Sequence, residues 1–151
     1  MSLCITQPTT AEEVEAFRAD IEALYQHSPN PLDTFIDDVK EYPEYLTFIT
    51  EGDTLAAMIE IKDDRWFPTL GKHSLMFGGV IHPDFRDTPI ITEIAPAVIR
   101  SAFRSTRKRK MLAATTDDNK PAQHALSALG FKRIGRDPEK RILYKLERKH
   151  A

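Results

Sequence analysis

The chain has 151 residues, 41% of them hydrophobic and 29% charged, and a formal net charge of −2. This length and composition suit one globular domain, residues 1–151, and exclude a low-complexity polymer. The near-neutral balance leaves no overall nucleic-acid footprint, the single Cys4 forbids an internal disulfide, and no Cys/His group has metal-ligand spacing. No apolar run reaches membrane-spanning length, and the first residues lack the layout of a signal peptide. The expectation is a cytoplasmic protein with no metal and no membrane partner.

Leu3 to Thr6 suits an opening strand. Thr10-Ala11-Glu12-Glu13 has capping-box spacing and predicts a helix with Val14, Phe17, Ile21 and Leu24 on its apolar face. His27 to Pro31 predicts a turn, and Leu32 to Tyr42 a second helix. Tyr45 to Thr50 and Leu55 to Lys62 predict a hairpin around Glu51-Gly52-Asp53. A loop from Asp63 to Lys72, with Trp66, Phe67 and Pro68, leads to a strand from His73 to His82. Gly78-Gly79 within that strand predicts a bulge or a close approach by another backbone.

Ile91, Ile94, Ala95, Val98, Ile99, Ala102 and Phe103 repeat at helical spacing, so a helix runs to about Thr106. Pro96 interrupts it; the helix either kinks there or begins near Ala95. Met111 to Thr115 predicts a buried strand. Phe131 to Gly135 and Arg141 to Leu146 close the chain as strands around Asp137-Pro138. The predicted order is β-α-α-β-β-β-α-β-α-β-β.

The segment from Asn119 to Phe131 is the most specific. Asp118 or Asn119 can cap a helix, Pro121 fits its first turn, and Gly130 can close it in the left-handed conformation. Ala122, Ala125, Leu126 and Leu129 form one apolar stripe. Asn, then Pro-Ala, then Leu-Gly-Phe at this spacing resembles the last helix of the GCN5-related N-acetyltransferases, the GNAT superfamily. Val80-Ile81-His82-Pro83-Asp84-Phe85-Arg86 resembles the end of that family's central strand, where the chain enters a pyrophosphate loop.

The resemblance implies an α/β fold with a mixed central sheet, splayed at the cofactor slot and covered by helices on both faces. It implies acetyl-CoA, or another acyl-CoA, as co-substrate. Gly78, Gly79, Val80 and Ile81 would offer strand backbone to the pantetheine arm, and Asn119 would sit near the cofactor. The pyrophosphate would rest on N–H groups of Thr88, Ile90 and Ile91, with Arg86 as cation. Two departures stand out. The family's loop is rich in glycine, whereas Pro89 here has no N–H and Asp87 places a negative charge beside the expected phosphate. Many members also carry a tyrosine as general acid at the position of Leu126.

The candidates for a general base are Glu60, which interrupts the apolar run Ala56 to Ile61, and His82 at the strand end. Alternation puts Glu60 on the face of Met58, which either lines the cleft or meets solvent. His124 reads as an exposed helix residue. Tyr25, Tyr42, Tyr45, Trp66 and Phe67 can wall an acceptor pocket or belong to the core. Arg104, Arg107, Lys108, Arg109 and Lys110 read first as a solvated helix end complementing the dipole. A contact with the 3′-phosphate of CoA is the next reading, and nucleic acid the weaker one, because no aromatic residue interleaves the run. The expected activity is acetyl transfer to an amine, on a small molecule or a protein, by direct attack. The rival is a GNAT-like binding or structural module without catalysis. The acceptor is not legible, and a homodimer stays open.

Overall fold

In the computed structural model, residues 2–28, 35–66, 68–86 and 88–151 are described. Seven strands form one hydrogen-bonded sheet in the order β1-β2-β3-β4-β5-β7-β6. They are β1 (Leu3–Thr6), β2 (Leu46–Glu51), β3 (Thr54–Lys62), β4 (Ser74–Ile81), β5 (Lys110–Thr115), β6 (Lys132–Arg136) and β7 (Ile142–Glu147). The helices are α1 (Ala11–Glu15), α2 (Arg18–Tyr25), α3 (Phe35–Val39), α4 (Ala95–Thr106) and α5 (Lys120–Ala128). The β4–β5 ladder is parallel, and β1–β2, β2–β3, β5–β7 and β6–β7 are antiparallel, which makes the sheet mixed as expected. The chain divides into two compact units, residues 1–60 with 79–86, and 61–78 with 87–151.

The first unit begins with β1 against β2 and the β2–β3 hairpin. Gly52, at φ +58°, turns that hairpin at the predicted position. Thr10 caps α1, its hydroxyl accepting from the Glu13 N–H at 3.2 Å. The Glu13 carboxylate reaches one residue further back than a capping box requires and accepts from the Thr9 N–H at 2.8 Å. One helix was expected through Leu24, but it breaks between α1 and α2. Phe17, at φ −94° and ψ 2°, leaves helical geometry and stacks its ring on Phe48 at 4.2 Å. Arg18 then ties the helices together, pairing with Glu15 at 2.8 Å and with Asp37 of α3. Most of the turn predicted at His27–Pro31 and the start of the second helix fall outside the described residues, as does Phe67.

The second unit encloses one continuous core. Ile99 and Phe103 project from α4 at helical spacing, Met111 and Ala113 alternate on β5, and Ile142, Tyr144 and Leu146 alternate on β7. Leu126 of α5 and Phe131 complete the same cluster. Both periods, 3.6 on the helix and 2 on the strands, therefore converge on one apolar space. The Pro96 question resolves in a specific way. Ile90–Ile94 form a π-helical turn, with the Ala95 N–H donating to the Ile90 carbonyl, and the α-helix proper begins at Ala95. Proline has no N–H for an i−4 bond, so the wider turn carries the chain past that gap.

Candidate functional site

The residues assigned to chemistry fall in both units. In the first, Glu60 sits opposite Leu46 in the β2–β3 ladder and is half-buried, with Oε2 shielded from solvent. Its face-mate Met58 is fully buried. Glu60 is therefore partly shielded rather than fully open to solvent. Gly79, at φ +150°, lies so close to β3 that a Cβ there would stand 2.3 Å from the Met58 carbonyl oxygen. The predicted close backbone approach is real, and only glycine meets it.

His82 ends β4, its N–H donating to the Ala56 carbonyl at 2.8 Å. Its Nδ1 accepts from the Asp84 N–H at 3.1 Å and caps the turn at Pro83–Phe85. In the neutral ring that bond places the proton on Nε2, so neither nitrogen offers a free lone pair to an incoming amine. The ring also stands edge-on to His27 at 4.5 Å. Arg86 is exposed and closes the same turn, its N–H donating to the Pro83 carbonyl. Val80 and Ile81 are half-buried on β4.

In the second unit the β4–β5 ladder has three pairs, Ser74 with Lys110, Leu75 with Met111 and Met76 with Leu112. It stops before Phe77 and Gly78, whereas β5 keeps its ladder with β7 through all six of its residues. Among the described residues of this unit, Phe77 and Gly78 are therefore outside the β4–β5 ladder. Thr88 accepts a long hydrogen bond, 3.4 Å, from the Ile90 N–H as the chain enters the π turn. Ile90 is fully buried and Ile91 half-buried. The Ile90 N–H, one of the donors expected for the pyrophosphate, is thus engaged by Thr88. Asp87 lies outside the described residues.

Asn119 caps α5, with Oδ1 accepting from the Ala122 N–H at 3.2 Å. Gln123 holds the preceding loop through the Thr116 and Asp117 carbonyls, both at 3.0 Å. Arg136 grips Asp117 through two 3.0 Å bonds, which hold that carboxyl below the usual carboxylate range. Leu126 is buried in the core cluster, among Ile99, Phe103 and Met111. A tyrosine there would overpack the cluster. We expect Leu126→Tyr to lower stability by about 1–3 kcal/mol, read as a fall in the urea midpoint.

Tyr45 is buried and stacked on Tyr42 at 4.9 Å, so that pair serves packing more than an acceptor pocket. Sequence reasoning missed the burial of Lys62, whose Nζ lies 4.7 Å from the Trp66 ring centroid. The alternation that singled out Glu60 carries the same signal two residues later. A cavity of about 420 Å³ opens beside the exposed His124, with Ser127, Lys132, Arg133 and Tyr144 in its lining, and contains none of the residues assigned above. Among the described residues, no group of His, Cys, Asp and Glu could hold a metal ion, and no helix is long and apolar enough to cross a membrane.

Comparison with known proteins fits this geometry. No curated protein matches the chain. The chain superposes on solved structures of low identity. One is a Salmonella typhimurium protein solved with its cofactor acetyl-CoA (12% identity, TM-score 0.73, covering 100% of this chain and 96% of that one). Another is a GNAT-family acetyltransferase from Streptococcus pneumoniae (14%, TM-score 0.72, 97% and 99%). A third is the ribosomal-protein-S5-alanine acetyltransferase of Vibrio fischeri (12%, TM-score 0.71, 98% and 94%). These likenesses establish the fold. Residues 10–131 match the model of the acetyltransferase (GNAT) family. The chain belongs to the GNAT acetyltransferase family.

Proposed function

We propose that this protein transfers an acetyl group from acetyl-CoA to an amine by direct attack, in the cytoplasm, with Glu60 as the base. The observation that carries the reading is the early end of the β4–β5 ladder, which leaves Phe77 and Gly78 outside it while β5 stays bonded to β7. Strand backbone outside a ladder can pair with the amide-bearing pantetheine arm as an added strand would. Gly79 supports the same reading, because its place against Met58 keeps the strand free of a side chain there.

Acyl-CoA, when bound, supplies the activated acyl group. The chain's residues do the rest. Gly78 to Ile81 orient the arm through their backbone, Arg86 supplies a cation for the pyrophosphate, and the N–H groups at Thr88, Ile90 and Ile91 supply donors, the Ile90 N–H exchanging its long bond to Thr88 for one to phosphate. Asn119 organises the start of α5. Glu60 takes a proton from the attacking amine, directly or through one water. Leu126 has no proton to give, so the CoA thiolate leaves without a phenolic acid from that position. The amine belongs to a small molecule or to a protein.

Calorimetric titration with acetyl-CoA and with desulfo-CoA tests the reading. Both should bind with similar micromolar affinity, since the pantetheine and phosphate contacts do not involve the sulfur. No heat and no thermal shift at millimolar ligand would instead favour a GNAT module that has lost its co-substrate.

A further inference from the structure

The net charge of −2 conceals a strong segregation. The second unit holds eighteen of the 21 Lys and Arg residues but nine of the 23 Asp and Glu residues. The fold concentrates part of that charge on one surface of this unit. The end of α4 contributes Arg100 and Arg104, one turn apart, then Arg107, which closes the helix at φ +57°. The C-terminal segment joins them. The Arg148 N–H donates to the Arg109 carbonyl at 2.8 Å, and its guanidinium reaches the Lys108 carbonyl at 3.4 Å. Arg100, Arg104 and Arg148, together with Phe103 and Ala151, line a cavity of about 170 Å³.

Nearby charges divide into two sets. Lys108 is tied to Asp64 at 3.3 Å, and Lys149 to Glu147 at 3.4 Å, with Lys110 opposite Glu147 in the ladder. Arg100, Arg104, Arg107, Arg109 and Arg148 are all exposed, and among the described residues none pairs with a carboxylate. The three guanidiniums that share the cavity repel each other unless an outside anion meets them, and Arg107 and Arg109 add exposed cations to the adjoining segment. All five cations are arginine, whose planar fork matches phosphate oxygens two at a time. Along the helical run Arg100 and Arg104 lie roughly 15–21 Å beyond Ile90 at 1.5 Å per residue. The surface therefore lies apart from the N–H groups of Ile90 and Ile91.

We infer that this face binds the phosphate backbone of a nucleic acid without reading its sequence. The charge run 107–110 alone does not carry this, and lacks aromatic residues for stacking bases. Its union with Arg100, Arg104 and Arg148 does, because a polyanion releases counterions for every phosphate neutralised. The inference stands independently of acetyl transfer.

The test is fluorescence anisotropy with a labelled single-stranded RNA of mixed sequence, titrated with the full chain at several salt concentrations. Binding should fall in the range of about 1–100 µM, with a log–log salt slope of about −3.5 for five contacts. The triple variant Arg100→Gln, Arg104→Gln, Arg148→Gln should bind at least tenfold more weakly, its slope reduced to about −1.4. A control, Lys132→Gln with Arg133→Gln on β6, should bind as the parent does, and circular dichroism verifies that each variant is folded. Several outcomes would overturn the proposal. They are no anisotropy change at low salt, equal loss in triple variant and control, and displacement of the RNA by polyglutamate as readily as by unlabelled RNA. Binding of inorganic phosphate without RNA would reduce the cavity to a small-anion site and overturn it too. So would a salt-sensitive oligomer of the parent that the triple variant loses, since the occupant would then be a second copy's acidic unit.

Discussion

Glu60→Gln should lower the rate of amine acetylation by about a hundredfold or more while leaving the affinity for acetyl-CoA within a few-fold of the parent. An amine attacks only as its free base, and in neutral water most alkylamines carry a proton. A carboxylate beside the ammonium takes that proton and frees the lone pair for attack; glutamine has nearly the same shape and cannot. Glu60 is the candidate whose surroundings fit the task. It shares the face of the fully buried Met58, and its Oε2 is shielded from solvent. His82→Gln should have the smaller effect on rate, because Nδ1 is already engaged by the Asp84 N–H. The Glu60→Gln deficit should narrow as pH rises toward the amine's own titration range, where the free base forms without help. Steady-state kinetics across that range check the prediction. An unchanged rate would leave Glu60 a packing residue and remove it from the mechanism.

Gly79→Ala should destabilise the protein by about 3 kcal/mol or more and abolish acetyl-CoA binding in whatever folded protein remains. Two costs combine. A φ of +150° is a conformation that side-chain-bearing residues rarely adopt, at about 1–3 kcal/mol. The new Cβ would also stand 2.3 Å from the Met58 carbonyl oxygen, which is backbone and cannot rotate away. Against a total stability of about 5–15 kcal/mol, that is a large fraction. The urea midpoint should fall by about 1–2 M at an ordinary m-value. Full retention of the midpoint would mean that β3 and β4 can part at little cost, contrary to the geometry.

Local signals were legible wherever a residue's own chemistry set the structure. Thr10, Gly52, Asn119 and Gly130 end or turn their elements where the sequence places them, because capping and positive φ depend on near neighbours. The break at Phe17 was not legible. The apolar stripe runs through it without interruption, and what bends the helix is Phe48, a partner distant in sequence. Pro96 announced an irregularity but not its form, since a kink, a late start and a π turn all answer a missing N–H. Of the site, Gly79 was legible as a close approach, though not which carbonyl it meets. Alternation gave the face of Glu60 but not what covers it. The convergence of Arg148 with Arg100 and Arg104 has no sequence signal at all, because it depends on where the last strand ends.

The most direct test of acetyl transfer is release of free thiol from acetyl-CoA, followed across a panel of small amines and lysine-bearing peptides, with mass spectrometry of the acceptors. The account predicts thiol release above the hydrolytic background for at least one amine, matched mole for mole by an acceptor heavier by one acetyl group, and suppressed in Glu60→Gln. Tight binding of acetyl-CoA with no amine-dependent thiol release across the panel, or release that Glu60→Gln leaves unchanged, would contradict it.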